Sequence, residues 1–464
     1  MAGGEPLLPP AAAAAQTSHE RPAAHAARRT NKRPKIALAM AGGGPLGAIY
    51  EIGALTALSE ALDGLDLNDL DIYVGVSAGG ILGAGLANGI TPRQMCGMFI
   101  ESDESDEPFE PSVLMQPAFR EYWERMQQVP PLLARAIWHY LTNPRGQGFF
   151  DSFQRLTRAI PTGVFSNQGL LDFLTAAFTQ PGRSNDFRTL KAKLYLVATD
   201  LDSGGAVQFG APGHDHVPIA RAAVASSALP GLFPPVEIDG RCYLDGALKR
   251  TLHASVALKD GAELVLCLNP IVPYDDRMAP AGSARHLIEG GLPVVLSQTL
   301  RAMVHSRMEI GMRQYGDDYR HADVVLFEPN RADADMFFTN VFSYSSRRRL
   351  CEHAYQKTRA ELWQRRDELM PILARHGIGL NLGVLQDRHL TLVKPAATLP
   401  VQHALLPMAG ILAHLSDSLE DLERLVRVAR ARRVDPAPGT CRALRAARRA
   451  RRFSPVRAGA ILPP

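Results

Sequence analysis

Ser77 is the residue whose surroundings point most directly to chemistry. It lies in Gly75-Val76-Ser77-Ala78-Gly79, directly after the apolar run Ile72-Tyr73-Val74. A strand that turns sharply into a helix presents a serine hydroxyl at its tip, and flanking glycines remove the side chains that would obstruct the turn. The apolar stretch Ile81 to Leu86 can then pack the helix back onto a sheet. An ordinary strand-to-helix turn with a bystander serine has the same letters, and chance supplies a G-x-S-x-G in roughly one chain in six of this composition. The pentapeptide needs company to mean a nucleophile.

Two more glycine motifs, Gly42-Gly43-Gly44-Pro45-Leu46-Gly47 and Asp245-Gly246-Ala247, each follow an apolar run. All three together arise by chance in on the order of one chain in a thousand. Cleaving an acyl ester requires a nucleophile, a base to take its proton, and fixed donors for the oxygen that becomes negative. Ser77 is the candidate nucleophile. Asp245 is the candidate general base, its pKa expected to rise through partial burial. The backbone N–H groups of Gly43, Gly44 and Ala78 are the candidate oxyanion donors, with Gly42, Gly47, Gly75, Gly79 and Gly246 as motif glycines permitting close backbone approach.

In this order the motifs resemble the patatin-like phospholipase family, over roughly residues 35–330. The resemblance implies an α/β fold, a patatin-like three-layer sandwich around a mostly parallel central sheet. It also implies a serine acyl hydrolase of phospholipase A or lysophospholipase type. Such an enzyme cleaves carboxylic esters of phospholipids or related acyl lipids through a dyad of Ser77 and Asp245 and an acyl-enzyme. That chemistry calls for no cofactor and no metal. The chain departs from the family's commonest loop at Leu46, where a basic residue is usual, and Pro45 has no N–H to offer. Both changes weaken the loop's expected grip on a charged phosphate head group.

Other readings fit parts of the pattern. A Ser-His-Asp esterase would pair Ser77 with Asp245 or Asp200 and a late histidine, His253, His305 or His321. The serine nonetheless follows only the second recognisable strand, early for that fold. Asp200 and Asp202 form a rival acidic pair after the run Leu194 to Thr199. The loop Gly42-x-Gly44-x-x-Gly47 also fits a dinucleotide fingerprint, with Glu60 or Asp63 as the acidic partner, but that reading leaves the serine turn unexplained. A lipid-binding protein with a vestigial site is a further alternative.

Positioning these residues requires alternating strands and helices. Hydrophobic periodicity predicts strands at Ile36 to Met40, Asp71 to Val76, Lys193 to Thr199, Glu263 to Leu268 and Asp323 to Phe327, and a hairpin around Asp239-Gly240. Helices are expected at Ala48 to Leu62, Leu170 to Phe178, Val217 to Ser227, His286 to Arg313, Ser345 to Met370 with a stop at Pro371, and Val401 to Arg430. The expected organisation is a disordered Ala/Pro-rich leader (1–34), a catalytic domain (35–330), a helical extension (331–430) and a disordered Arg-rich tail (431–464). Residues 94–163 read as a helical cap insertion in the catalytic domain.

The chain has 464 residues and a net charge of +4. Residues 1–34 carry five basic and two acidic residues, and 424–464 carry twelve arginines and one aspartate, which leaves the body at −10. No apolar run is long enough to span a bilayer, and the N-terminus lacks the basic region of a secretory signal. Five scattered cysteines suit reduced thiols rather than a disulfide framework or a zinc site. The expected location is cytoplasmic, with an option of peripheral membrane contact. Anionic lipid could be met by the cap aromatics, Trp123 and Trp138 with Phe119, Tyr122 and Tyr140, and by the Arg442–Arg457 tail. No specific nucleic-acid partner is expected.

Overall fold

The computed structural model describes residues 33–101, 116–118, 162–278, 287–338 and 344–393. All but the end of the 1–34 leader, most of the 94–163 insertion with both its tryptophans, the expected 401–430 helix and the Arg-rich tail lie outside the described residues. The chain divides after Pro34, and every element of the fold belongs to the unit that begins at Lys35.

Among the described residues the centre is an eight-stranded sheet. It comprises β1 (Ile36–Met40), β3 (Ile72–Gly75), β4 (Lys193–Asp200), β5 (Ala206–Phe209), β6 (Val236–Ile238), β7 (Arg241–Asp245), β8 (Leu264–Leu268) and β9 (Asp323–Phe327). The order is β6-β7-β4-β3-β1-β8-β9, with β5 also paired to β4. Strands β4, β3, β1, β8 and β9 run parallel, and β5, β6 and β7 add antiparallel pairs. A parallel sheet covered on both faces asks for unbroken apolar strands, and β1 (IALAM) and β8 (LVLCL) are buried throughout.

Alternate residues serve opposite faces. Ile36, Leu38 and Met40 join one core beneath α1 (Gly44–Ala61), α2 (Ser77–Ala87), α5 (Ile219–Ser226) and α8 (Tyr344–Gln364). Ala37, Ala39 and Ala41 join the other, beneath α6 (Ala254–Lys259) and α7 (Gly291–Asp318). Two shorter helices, α3 (Pro92–Cys96) and α4 (Gln168–Phe178), sit between α2 and β4 in the chain. The result is the three-layer α/β arrangement expected. The Asp239-Gly240 hairpin is present, with both residues at positive φ (52° and 74°), as its two-residue turn demands.

Two local expectations change. Helix α1 starts at Gly44 rather than Ala48, because Pro45 falls in the first turn, where a missing N–H costs nothing. Pro371 does not end a helix; it lies inside α9 (Arg366–Arg375), and the break comes at Arg365. There Arg365 Nη1 holds Glu361 Oε1 (2.6 Å) and the Leu326 carbonyl (2.8 Å), while buried Leu369 and Leu373 keep α9 on the core. A small second sheet, β2 (Leu62–Asp63) with β10 (Gly379–Leu380), ties the end of α1 to the chain beyond α9. Helix α8 shares the core of α1: a Cβ on Gly53 would stand 2.5 Å from the Cys351 carbonyl oxygen. Among the described residues no helix is long and apolar enough to cross a membrane.

Candidate active site

Ser77 is the first residue of α2 and has φ of +53°, a left-handed conformation that costs a residue with a Cβ. The strain is held from several sides. The Ser77 N–H donates to Ser226 Oγ (2.9 Å), and that hydroxyl donates to the Val197 carbonyl on β4 (2.6 Å). Gly79 lets α2 lie directly on β1, since a Cβ there would sit 2.5 Å from the Ala41 carbonyl oxygen. The turn is thus fixed by backbone contacts that tolerate no side chain.

Asp245 closes β7 and is brought beside Ser77 by the order β7-β4-β3. It is 4% exposed. Burial pushes its carboxyl up to about 6, and hydrogen bonds from the Ala247 N–H and the Ser77 hydroxyl pull the other way. The Ala247 N–H lies 2.8 Å from Oδ1. From behind, Thr199 Oγ1 holds the Asp245 carbonyl (3.0 Å), and the Asp245 N–H is bonded to the Ala228 carbonyl (3.0 Å). A carboxylate with one backbone donor in a dry place accepts a proton more readily than one in water.

The first turns of α1 and α2 meet at Ser77. First-turn N–H groups have no acceptor inside their own helix, and a helix N-terminus favours negative charge. Gly43 caps α1 and Gly44 takes φ of +59°, so this loop needs glycine there. A Cβ on Gly42 would stand 3.0 Å from Ser77 Cβ. Gly44, Pro45, Ser77 and Ala78 share a cavity of about 120 Å³ whose other walls are largely apolar, including Ile49, Ile52, Ile81, Leu82, Phe99 and Leu170. Near it, part of the insertion is tied to the chain that follows: the Ala118 and Ser166 N–H groups donate to the Val164 and Gln116 carbonyls, and Phe165 packs on the pocket residue Phe233. The site can therefore receive an apolar chain beside a hydroxyl, a carboxylate and two helix ends.

Residues 38–258 match the family model of patatin-like phospholipases. This stretch is a patatin-like phospholipase domain. Among curated proteins the sequence finds no match. Similar solved structures include VipD from Legionella pneumophila, 17% identical with a TM-score of 0.32 over 70% of this chain and 66% of that one. They also include the type III effector ExoU of Pseudomonas aeruginosa, 17% identical with a TM-score of 0.33 over 72% and 53%. The chain thus spans about two thirds of VipD and about half of ExoU.

The rival residues lie away from the pair of Ser77 and Asp245. Burial would raise Asp200, but the Asp202 N–H (2.9 Å), the Arg241 guanidinium (2.8 Å) and the Ser203 N–H (3.3 Å) outweigh it and hold the carboxylate low. His253 is buried next to Gly246 and Arg250, and burial pushes it down to about 4. His305 bonds Glu309 and Arg331, and exposed His321 packs on Tyr319. Among the described residues none of the three hydrogen-bonds Ser77 or Asp245. Glu60, a fingerprint candidate, is bound by the Tyr355 hydroxyl. One described group, Asp333, Asp335 and His353, has donor atoms within 4.8 Å of one another, but His353 Nε2 is already bonded to Asp333 (2.6 Å) and none of the three lines the Ser77 pocket. Sequence reasoning missed Ser226 and Thr199, whose only signal was a hydroxyl interrupting an apolar run.

Proposed function

We propose that the chain is a serine acyl hydrolase that cleaves carboxylic ester bonds of phospholipids or related acyl lipids. The observation that carries this reading is the strained Ser77 hydroxyl beside a buried Asp245 raised to about 6, at the polar end of an apolar cavity. Asp245 takes the proton from Ser77 Oγ as that oxygen attacks the ester carbonyl. The N–H groups of Gly43, Gly44 and Ala78 stabilise the tetrahedral oxyanion, each such donor being worth about a hundredfold to a thousandfold in rate. On collapse the departing alcohol receives the proton, leaving an acyl-enzyme on Ser77. Water activated by the same carboxylate then releases the fatty acid and restores the serine. The apolar cavity would hold the acyl chain, drawn from a membrane surface by a peripherally bound enzyme.

An active-site fluorophosphonate tests the reaction class, and mass spectrometry of a mixed lipid extract tests the substrate. Labelling of wild type that vanishes in Ser77→Ala is expected, together with release of free fatty acid. Folded wild-type protein that takes no label would instead favour a lipid-binding protein with a vestigial site.

A further inference from the structure

Among the described residues the apolar pocket beside Ser77 has one charged side chain in its wall, Arg347. It belongs to α8, outside the residues matched by the family model. Arg347, Arg348 and Arg349 are consecutive, a run that reads as a solvated basic face, yet they are placed differently: Arg349 is exposed, Arg348 half-buried and Arg347 only 3% exposed. A guanidinium stays charged at any physiological pH, and this one lines the cavity together with Ile49, Ile52 and Phe99. Its Nη1 donates to the carbonyl of Phe99 (3.1 Å), itself a pocket residue, which orients the group at the wall. The planar fork of donors can keep such protein contacts and still take an anionic oxygen. The loop at the other end of the cavity carries no cation, Pro45 and Leu46 both being apolar.

We infer that Arg347 is a specificity-determining residue that binds an anionic group carried by the ester substrate, a phosphate or a carboxylate. This rests on the hydrolase reading above. It makes the preferred substrate an acyl ester with a negative charge within reach of the serine pocket, recognised by α8 rather than by the glycine loop.

The test compares matched esters in wild type, Arg347→Gln and Arg347→Lys. One arm sets lysophosphatidic acid against the monoacylglycerol of the same chain, placing the charge on the alcohol side. The other sets the p-nitrophenyl monoester of a dicarboxylic acid against the ester of the plain fatty acid, placing it on the acyl side. In one arm the anionic-to-neutral ratio of kcat/KM should fall about tenfold to a hundredfold in Arg347→Gln and recover in part in Arg347→Lys. The arm that responds identifies the source of the charge. Ratios unchanged within about twofold in both arms would overturn the subsite. Labelling by a neutral fluorophosphonate separates the failures. No label on wild type sinks the hydrolase reading itself. Labelled wild type with both variants unlabelled shows that Arg347 serves the fold and also overturns the subsite.

Discussion

Two aspartates on neighbouring strands meet opposite fates. Asp200 ends β4 and Asp245 ends β7, and these strands pair with Ala198 opposite Asp245 and Asp200 opposite Tyr243. Both carboxyls are buried, at 1% and 4% exposure. Asp200 receives two backbone N–H groups and a guanidinium and is held below its usual pKa, whereas Asp245 has one backbone donor and the Ser77 hydroxyl and is pushed up to about 6. Asp200 is covered only at the surface, partly by the exposed Arg241, whereas Asp245 lies in the interior, so depth and the number of donors together decide the sign. On the proposed reading, the carboxylate that takes a proton lies deep and short of donors, and the one that holds a turn lies near the surface and is supplied with them.

Substitutions that remove the carboxylate or the hydroxyl from one side only separate the two aspartates most. Ser77→Ala should lower kcat on the order of ten-thousandfold or more, and Asp245→Asn on the order of a thousandfold to ten-thousandfold. Asp200→Asn should stay within about twofold of wild type, since that carboxylate faces a turn. Ester turnover by the three purified variants decides it, and a comparable loss in Asp200→Asn would exchange the two roles. Because Asp245 must be ionised to act, wild-type kcat/KM should rise with pH and level off above about 6, the value to which burial has moved it. A rate profile flat from pH 4.5 to 7.5 would remove Asp245 as the base.

A milder substitution separates base from donors. Gly44→Ala adds a Cβ with no atom within 4 Å, so its effect comes from the backbone at φ of +59° rather than from a clash. It should lower the kcat plateau by about tenfold to a hundredfold while leaving the acidic limb in place. A moved limb in the pH profile would mean that the loop and Asp245 are not independent.

What the sequence could reveal depends on how locally each feature is encoded. The strained turn at Ser77 and the strand end at Asp245 were legible because both need glycine at fixed offsets, and glycine patterns survive in one dimension. The parallel sheet was legible from buried runs such as Ile36–Met40 and Leu264–Leu268. The difference between Asp200 and Asp245 was not, because it depends on Arg241, 41 residues from Asp200, and on N–H groups aimed by the turn after β4. Ser226 lies 149 residues from the serine it steadies. Pro371 misled because buried Leu369 and Leu373 outweigh one lost backbone bond.

The smallest expected effects are on stability, and their signs should be opposite. Asp245 has its folded pKa raised from about 4 to about 6, so between those values the folded state binds the extra proton and stability falls as pH rises. Above about pH 6 the buried charge is a standing cost, and Asp245→Asn should stabilise the fold there by on the order of 1 to 3 kcal/mol while destroying turnover. Asp200 has its folded pKa depressed, so its contribution is fully present above the unfolded value and is lost as pH falls through the folded one. Asp200→Asn should therefore destabilise at neutral pH, and its difference from wild type should shrink on acidification. Urea unfolding of the three proteins from pH 4 to 8 measures both slopes. If Asp245→Asn also destabilised at pH 7, Asp245 would be tied down like Asp200, and its depth and scarcity of donors would no longer explain why only one of the two could serve as a base.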